Sequence, residues 1–248
     1  EAFEAVREEA EEGGEGSEQQ SVAQRGWGLP CLVLEYGDSS LGEFIGRGQL
    51  PPTERKACFE AMVKVVLSLH ARGLAHCALQ PDSFRLVDGT QWRLANLESC
   101  TPLSEPSPRK CPVCFAPPEV VRSLKAHKTA PATAAIDVWA LGAILWQLFA
   151  QQPLFLNEVE AATLLASHAQ VTPPQGCIDD PQAYHLIDKM LQRKPAERVE
   201  LEAILKHSYL AGGMDTAEMD ASFGPMQKGH LFLRSLLQQM KPGGDLRV

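Results

Sequence analysis

Two short stretches hold the side chains with the clearest chemical potential. Residues 73–84 read GLAHCALQPDSF and residues 92–100 read WRLANLESC. Asp82 and Glu98 are carboxylates, hard oxygen ligands of the kind that hold magnesium. Four nearby positions offer less. Ala78 cannot accept a proton or orient a hydroxyl, Gln80 carries no charge, and Ser83 and Asn96 are neutral. A third pattern, Cys111 and Cys114, has CxxC spacing. A structural zinc site needs four ligands, and no second CxxC or paired histidine follows at finger-like spacing, so the pair reads as part of an ordinary loop.

The elements that must position these residues are legible from periodicity. Residues 53–72 form the clearest predicted helix. Phe59, Met62, Val63, Val66, Leu67 and His70 fall on one stripe, with Thr53 as the expected N-cap and Gly73 as the stop. Residues 84–87 and 91–94 read as two strands around Asp88-Gly89, a strong hairpin signal. Residues 136–150, IDVWALGAILWQLFA, are apolar on nearly every face yet too short to span a bilayer, which needs about 20 residues, so they form a buried core helix. CLVLEY at 31–36 reads as a buried strand, broken by residues 37–40, with a short helix over 41–45. Residues 101–112 read as a loop. Tyr184, Ile187, Met190 and Leu191 mark a further helix.

These motifs resemble those of the eukaryotic protein kinase superfamily. HCALQPDS at 76–83 keeps the frame of HRDLKPEN at His76, Leu79 and Pro81. The resemblance puts Cys77 at the arginine, Ala78 at the catalytic aspartate, Gln80 at the lysine, Asp82 at the glutamate and Ser83 at the metal-binding asparagine. Asn96, Leu97 and Glu98 stand at the DFG motif. FAPPEV at 115–120 resembles the APE end of an activation segment. Asp137-Val138-Trp139 and Leu141-Gly142 resemble the start of the central helix of the larger lobe. Residues 190–210 resemble MLxxDPxxRxTxxELLxHPWF, matching at Pro195, Arg198, Leu205 and His207. On this mapping Leu34 is a gatekeeper, and Glu35 and Gly37 lie on the hinge as weak nucleotide-binding candidates.

The resemblance implies a kinase-like C-lobe over residues 31–210, an α+β fold that is mainly α, with a truncated or absent N-lobe. Several strands and a helix need about 40 residues before loops, only 30 precede Cys31, and no Gly-rich loop or strand lysine is seen. It also implies structural roles. Asp137 caps the catalytic-loop backbone beside His76, and Glu119 forms a buried ion pair with Arg198. Residues 1–30 read as an acidic, flexible segment, a possible N-lobe remnant. Residues 211–248 read as an extension with an amphipathic helix over 230–240, which packs in cis or docks a partner.

Composition narrows the function classes. The chain has 248 residues, 44% apolar, with a net charge of −8. That balance argues against a nucleic-acid or anionic-membrane surface, and no apolar run is long enough for membrane insertion. Seven cysteines without a disulfide framework imply a reducing, cytoplasmic compartment.

The expectation is a non-catalytic pseudokinase, without cofactor, acting as a scaffold or regulator for protein partners in a larger assembly. Residues 109–128, with Arg109, Lys110, Arg122, Lys125 and Lys128, and the 230–240 helix are the candidate contact regions. A plain structural subunit fits the same residues. The alternative is a divergent nucleotide-binding, kinase-like enzyme that uses Glu98 or Asp82 for metal and has an N-lobe upstream.

Overall fold

The computed structural model describes residues 37–48, 50–167, 171 and 178–212. The expected strand at 31–36, including Leu34 and Glu35, the acidic segment at 1–30 and the amphipathic stretch at 230–240 lie outside the described residues. The core is built around two helices. α2 (Pro52–His70) buries Phe59, Met62, Val63 and Val66. α4 (Ala134–Ala150) is buried along almost its whole length, from Ile136 to Phe149. A helix apolar on every face must sit inside others, and α4 does so, packing on α2 and on α6 (Pro181–Met190). Gly142 explains how closely α4 meets α6. A Cβ there would lie 2.9 Å from Met190 Cβ and 3.1 Å from Leu191 Cδ2, so only glycine admits the contact.

The described strands are short. β1 (Ser39–Ser40), β3 (Phe84–Val87) and β4 (Gln91–Leu94) form an antiparallel sheet in the order β1-β3-β4. Phe84 faces Leu94 and Val87 faces Gln91. The connecting turn has Asp88 and Gly89 at φ +50° and +64°, and Thr90 N–H donates to Val87 O at 3.1 Å. Two left-handed residues in a row match the twist of a hairpin. β2 (Leu74–Ala75) pairs with β5 (Thr101–Pro102).

Helices α1 (Leu41–Gly46), α3 (Pro118–Lys125), α5 (Glu158–Ala166), α7 (Leu201–Lys206) and α8 (Ser208–Ala211) complete the described fold. It is mostly helical with small sheets. Among the described residues, no helix is long and apolar enough to cross a membrane.

Several local expectations need correction. α2 starts at Pro52 behind Pro51 and has no side-chain cap, so Thr53 is not the N-cap. Proline at the first helical position already has helical φ and lacks an N–H that would go unpaired. The helix ends at His70, and Gly73 takes φ +75° three residues later, its N–H donating to His70 O at 2.8 Å. Residues 37–40 do not simply break a strand. Asp38 N–H donates to Leu86 O at 2.8 Å, and Ser39–Ser40 satisfies the free edge of β3. The loop at 101–112 likewise starts with a strand, because the backbone of Leu74 and Ala75 takes its partners there.

Candidate functional site

The loop after β2 is held from behind by one carboxylate. Asp137, fully buried near the start of α4, accepts from His76 N–H at 2.7 Å through Oδ2 and from Cys77 N–H at 2.9 Å through Oδ1. His70 Nε2 meets the same Oδ2 at 2.8 Å. Three donors on one buried charge is what its burial demands. The clamp bends the chain sharply, and Cys77 adopts φ +63°, a left-handed conformation uncommon for a residue with a side chain. His76 is fully buried. Its Nε2 lies 3.0 Å from Ala95 O and therefore carries the proton, while Nδ1 has no partner among the described residues.

Two more bonds fix the front of the loop. Ser83 N–H donates to Gln80 O at 2.9 Å, and Gln80 N–H donates to Ser83 Oγ at 3.2 Å. Ser83 is fully buried, so its hydroxyl braces the loop. Ala95 N–H then donates to Ser83 O at 2.8 Å. With the His76–Ala95 bond, this ties the first polar stretch to the second and sets Asn96 beside the loop. Asn96 takes φ +58° and opens a 3-10 turn, Leu97–Ser99, which presents Asn96 and Glu98 to solvent.

Asp82 is also exposed, but its Oδ1 accepts from Ser40 Oγ at 2.7 Å, and the same atom lies 2.5 Å from where a Cβ on Gly42 would be. It fastens α1 to the loop. Ser40 Oγ in turn caps α1 by accepting from Glu43 N–H at 3.2 Å. Gly37, the one hinge candidate inside the described residues, is packed so that a Cβ would sit 2.7 Å from Arg85 Cβ. Ala78 and Gln80 are half-buried on the loop between Cys77 and Ser83.

The third fixed point joins α3 to the segment before α7. Arg198 meets Glu119 with both forks, Nη1 to Oε1 at 2.6 Å and Nη2 to Oε2 at 2.7 Å. It also donates to Gln192 O and Ala135 O, each at 2.8 Å, and lies over the Trp139 ring. Its side chain is 1% exposed. Pro118 opens α3, and Glu119 in its first turn gains from the helix dipole as well.

Burial works against thiolate at the described cysteines of this region. Burial, with Asp137 next in size, pushes Cys77 up to about 12. Burial likewise pushes Cys100 and Cys111 up to about 11. Raised in this way, the thiols are poorer sources of the thiolate that attacks an electrophile. Among the described residues, no three histidine, cysteine, aspartate or glutamate side chains are grouped to hold a metal. Any metal near Asn96 and Glu98 would draw further oxygens from phosphate and water.

Sequence reasoning missed two members of this network. His70 was one position in an apolar stripe, yet it pairs with Asp137. Ser40 lay in a presumed break, although the pattern Ser40-Leu41-Gly42-Glu43 carries the serine and glutamate spacing of a capping box.

Residues 28–210 match the family model described as the protein kinase domain. The chain belongs to the protein kinase family. It is similar to the serine/threonine-protein kinase PLK4 of Drosophila virilis, with 28% identity over 73% of the chain and 24% of that protein. It is similar to the dual specificity protein kinase Ttk of Danio rerio, with 26% identity over 72% of the chain and 19% of that protein. A third relative, the serine/threonine-protein kinase PAK 4 of Mus musculus, is 24% identical over 80% of the chain and 33% of that protein.

The chain thus spans about a fifth to a third of the length of these curated relatives. All three are named as kinases, which overturns the expectation of a non-catalytic scaffold and of an inactive homologue. Counting lost charges in one loop weighed too heavily, because phosphoryl transfer draws on positioning as much as on any single side chain.

Proposed function

We propose that this chain carries the larger lobe of a divergent phosphotransferase of the protein kinase family, which binds a nucleoside triphosphate with a divalent metal. The carrying observation is the double tie, Ala95 to Ser83 and His76 to Ala95, which sets Asn96 and Glu98 against a loop already clamped by Asp137. Its support is family membership together with relatives named as kinases.

The donor chemistry fits a hard cation. Glu98 offers a solvent-facing carboxylate and Asn96 an amide oxygen on the same turn. Asp82 is the poorer candidate, because Ser40 already occupies its Oδ1. A bound magnesium ion would neutralise charge on the transferring phosphate. The protein's own part is to hold that turn rigid and to keep the loop backbone in place for the acceptor. Ala78 supplies no base. The transition state for phosphoryl transfer is largely dissociative, so a missing base slows the reaction and leaves electrostatic catalysis in force. The reading requires a nucleotide-covering lobe from outside the described residues. A truncated N-lobe would leave adenine with one wall and weaken binding.

The test is incorporation of label from γ-labelled ATP by the full-length chain, with Mg²⁺ or Mn²⁺ and a generic protein acceptor. Incorporation above a chain-free blank is expected, falling on the order of 10²-fold in Glu98→Ala. Incorporation no higher than the blank overturns the reading.

A further inference from the structure

A second open feature lies far along the chain from this loop. The start of α2, the end of α4, the start of α6 and α8 leave a groove of about 680 Å³ between them. That is within the roughly 300–1,000 Å³ range of ligand-binding clefts. Leu50, Pro51, Phe149 and Tyr209 give it apolar walls. Arg55 forms part of its floor. The guanidinium stacks 4.2 Å from the Phe149 ring centroid and donates to Leu50 O at 3.0 Å, which turns the cation toward the protein. Asp179 and Asp180 leave the α6 side acidic. Asp180 also caps α6, accepting from Gln182 N–H and Ala183 N–H.

The described chain runs out at this place. Tyr209 lines the groove, and Gly212 ends α8 beside Lys56, whose Nζ lies 3.6 Å from where a Cβ on Gly212 would be. Residues 213–248 continue from there. They contain one stretch with a helical apolar stripe, Leu233, Leu236, Leu237 and Met240, and its charges are basic, at Lys228, Arg234 and Lys241. The stripe suits the apolar walls and the cations suit the aspartates. At about 3.3 Å per extended residue, the chain between Gly212 and Leu233 is amply long to return.

We propose that residues 230–240 dock in cis in this groove, with Leu236 and Leu237 against Phe149 and Tyr209. The contact makes the C-terminal stretch an integral layer of the domain, and it is independent of the phosphotransferase reading.

The test uses the full chain with a benzophenone photo-crosslinking residue in place of Pro51. Mass spectrometry should find crosslinks to residues 228–241 of the same chain, in a sample that sediments as a monomer. Crosslinks between two chains in a sedimenting dimer overturn the assignment, as does the absence of any crosslink to 228–241. A second measurement covers a failed crosslinker. Hydrogen exchange of the first turn of α2 should run roughly tenfold faster in Leu236→Asp/Leu237→Asp than in the unaltered chain. It should be unchanged in Ser235→Asp, on the opposite face. Equal exchange in all three chains, or equal acceleration in both variants, overturns the proposal.

Discussion

The clamp behind the loop and the turn in front of it use polar groups in opposite ways. Behind, Asp137 and Arg198 are buried, and nearly every donor or acceptor they own is engaged. In front, Asn96 and Glu98 face solvent. Between the two stand Ala78 and Gln80, half-buried and uncharged. Buried charges are expensive unless fully paired, so the rear network fixes where the loop goes. Exposed groups cost little to keep and are free to meet a ligand. The two regions can therefore fail separately, one as stability and the other as activity.

The largest expected effect breaks the rear network. Asp137→Ala strands two backbone donors and His70, and should cost about 3–5 kcal/mol in chemical denaturation. A loss under 1 kcal/mol would mean that the clamp does not hold the loop. The front region should respond in the opposite sense. Ala78→Asp puts a carboxylate on a half-buried loop position, and label transfer from ATP should rise on the order of 10²-fold, the lower range for an added general base, with the midpoint of unfolding nearly unchanged.

A third effect tests the packing beneath both regions. Gly142→Ala drives a methyl into Met190 and Leu191, for a cost of about 1–3 kcal/mol by thermal unfolding. The smallest lies at the far end of the domain. His207 accepts from Tyr209 N–H at 3.2 Å through Nδ1 and so donates to His185 Nδ1, 2.8 Å away. Burial, then His185 and Lys189, lower its pKa to about 4. The unfolded chain, near 6.5, binds the proton first, so this stability is complete above pH 6.5 and is lost as pH falls toward 4. Allowing for partial exposure, the loss is about 1–2 kcal/mol. His207→Asn should flatten that part of the acid limb while leaving label transfer at neutral pH intact.

Much of the fold was legible because burial leaves a periodic trace. The stripe on α2, the continuous apolar run of α4 and the Asp88-Gly89 turn each record a local geometric need. The two-residue strands left no such trace. Ser39–Ser40 and Thr101–Pro102 are strands only because β3 and β2 lie beside them. The site was legible in its frame and not in its wiring. Asp137, His76, Glu119 and Arg198 were reachable through motif resemblance. His70 was not, since a histidine on an apolar stripe does not announce a partner 67 positions away. Nor was the bracing by Ser83, read first as a poor metal ligand, whose hydroxyl turns inward to the Gln80 backbone. The expectation of an inactive homologue was drawn from the residues missing from one loop, and relatives named as kinases overturn it.

The central claim is that the front turn binds nucleotide and metal together, and a thermal-shift titration of the full-length chain with ATP, with and without Mg²⁺ or Mn²⁺, tests it most directly. At about 100 times the dissociation constant, the ligand should stabilise the fold by roughly 2.7 kcal/mol. The account predicts a shift that needs the metal and is lost in Glu98→Ala. No shift under any condition, or a shift indifferent to both the metal and Glu98, would contradict it.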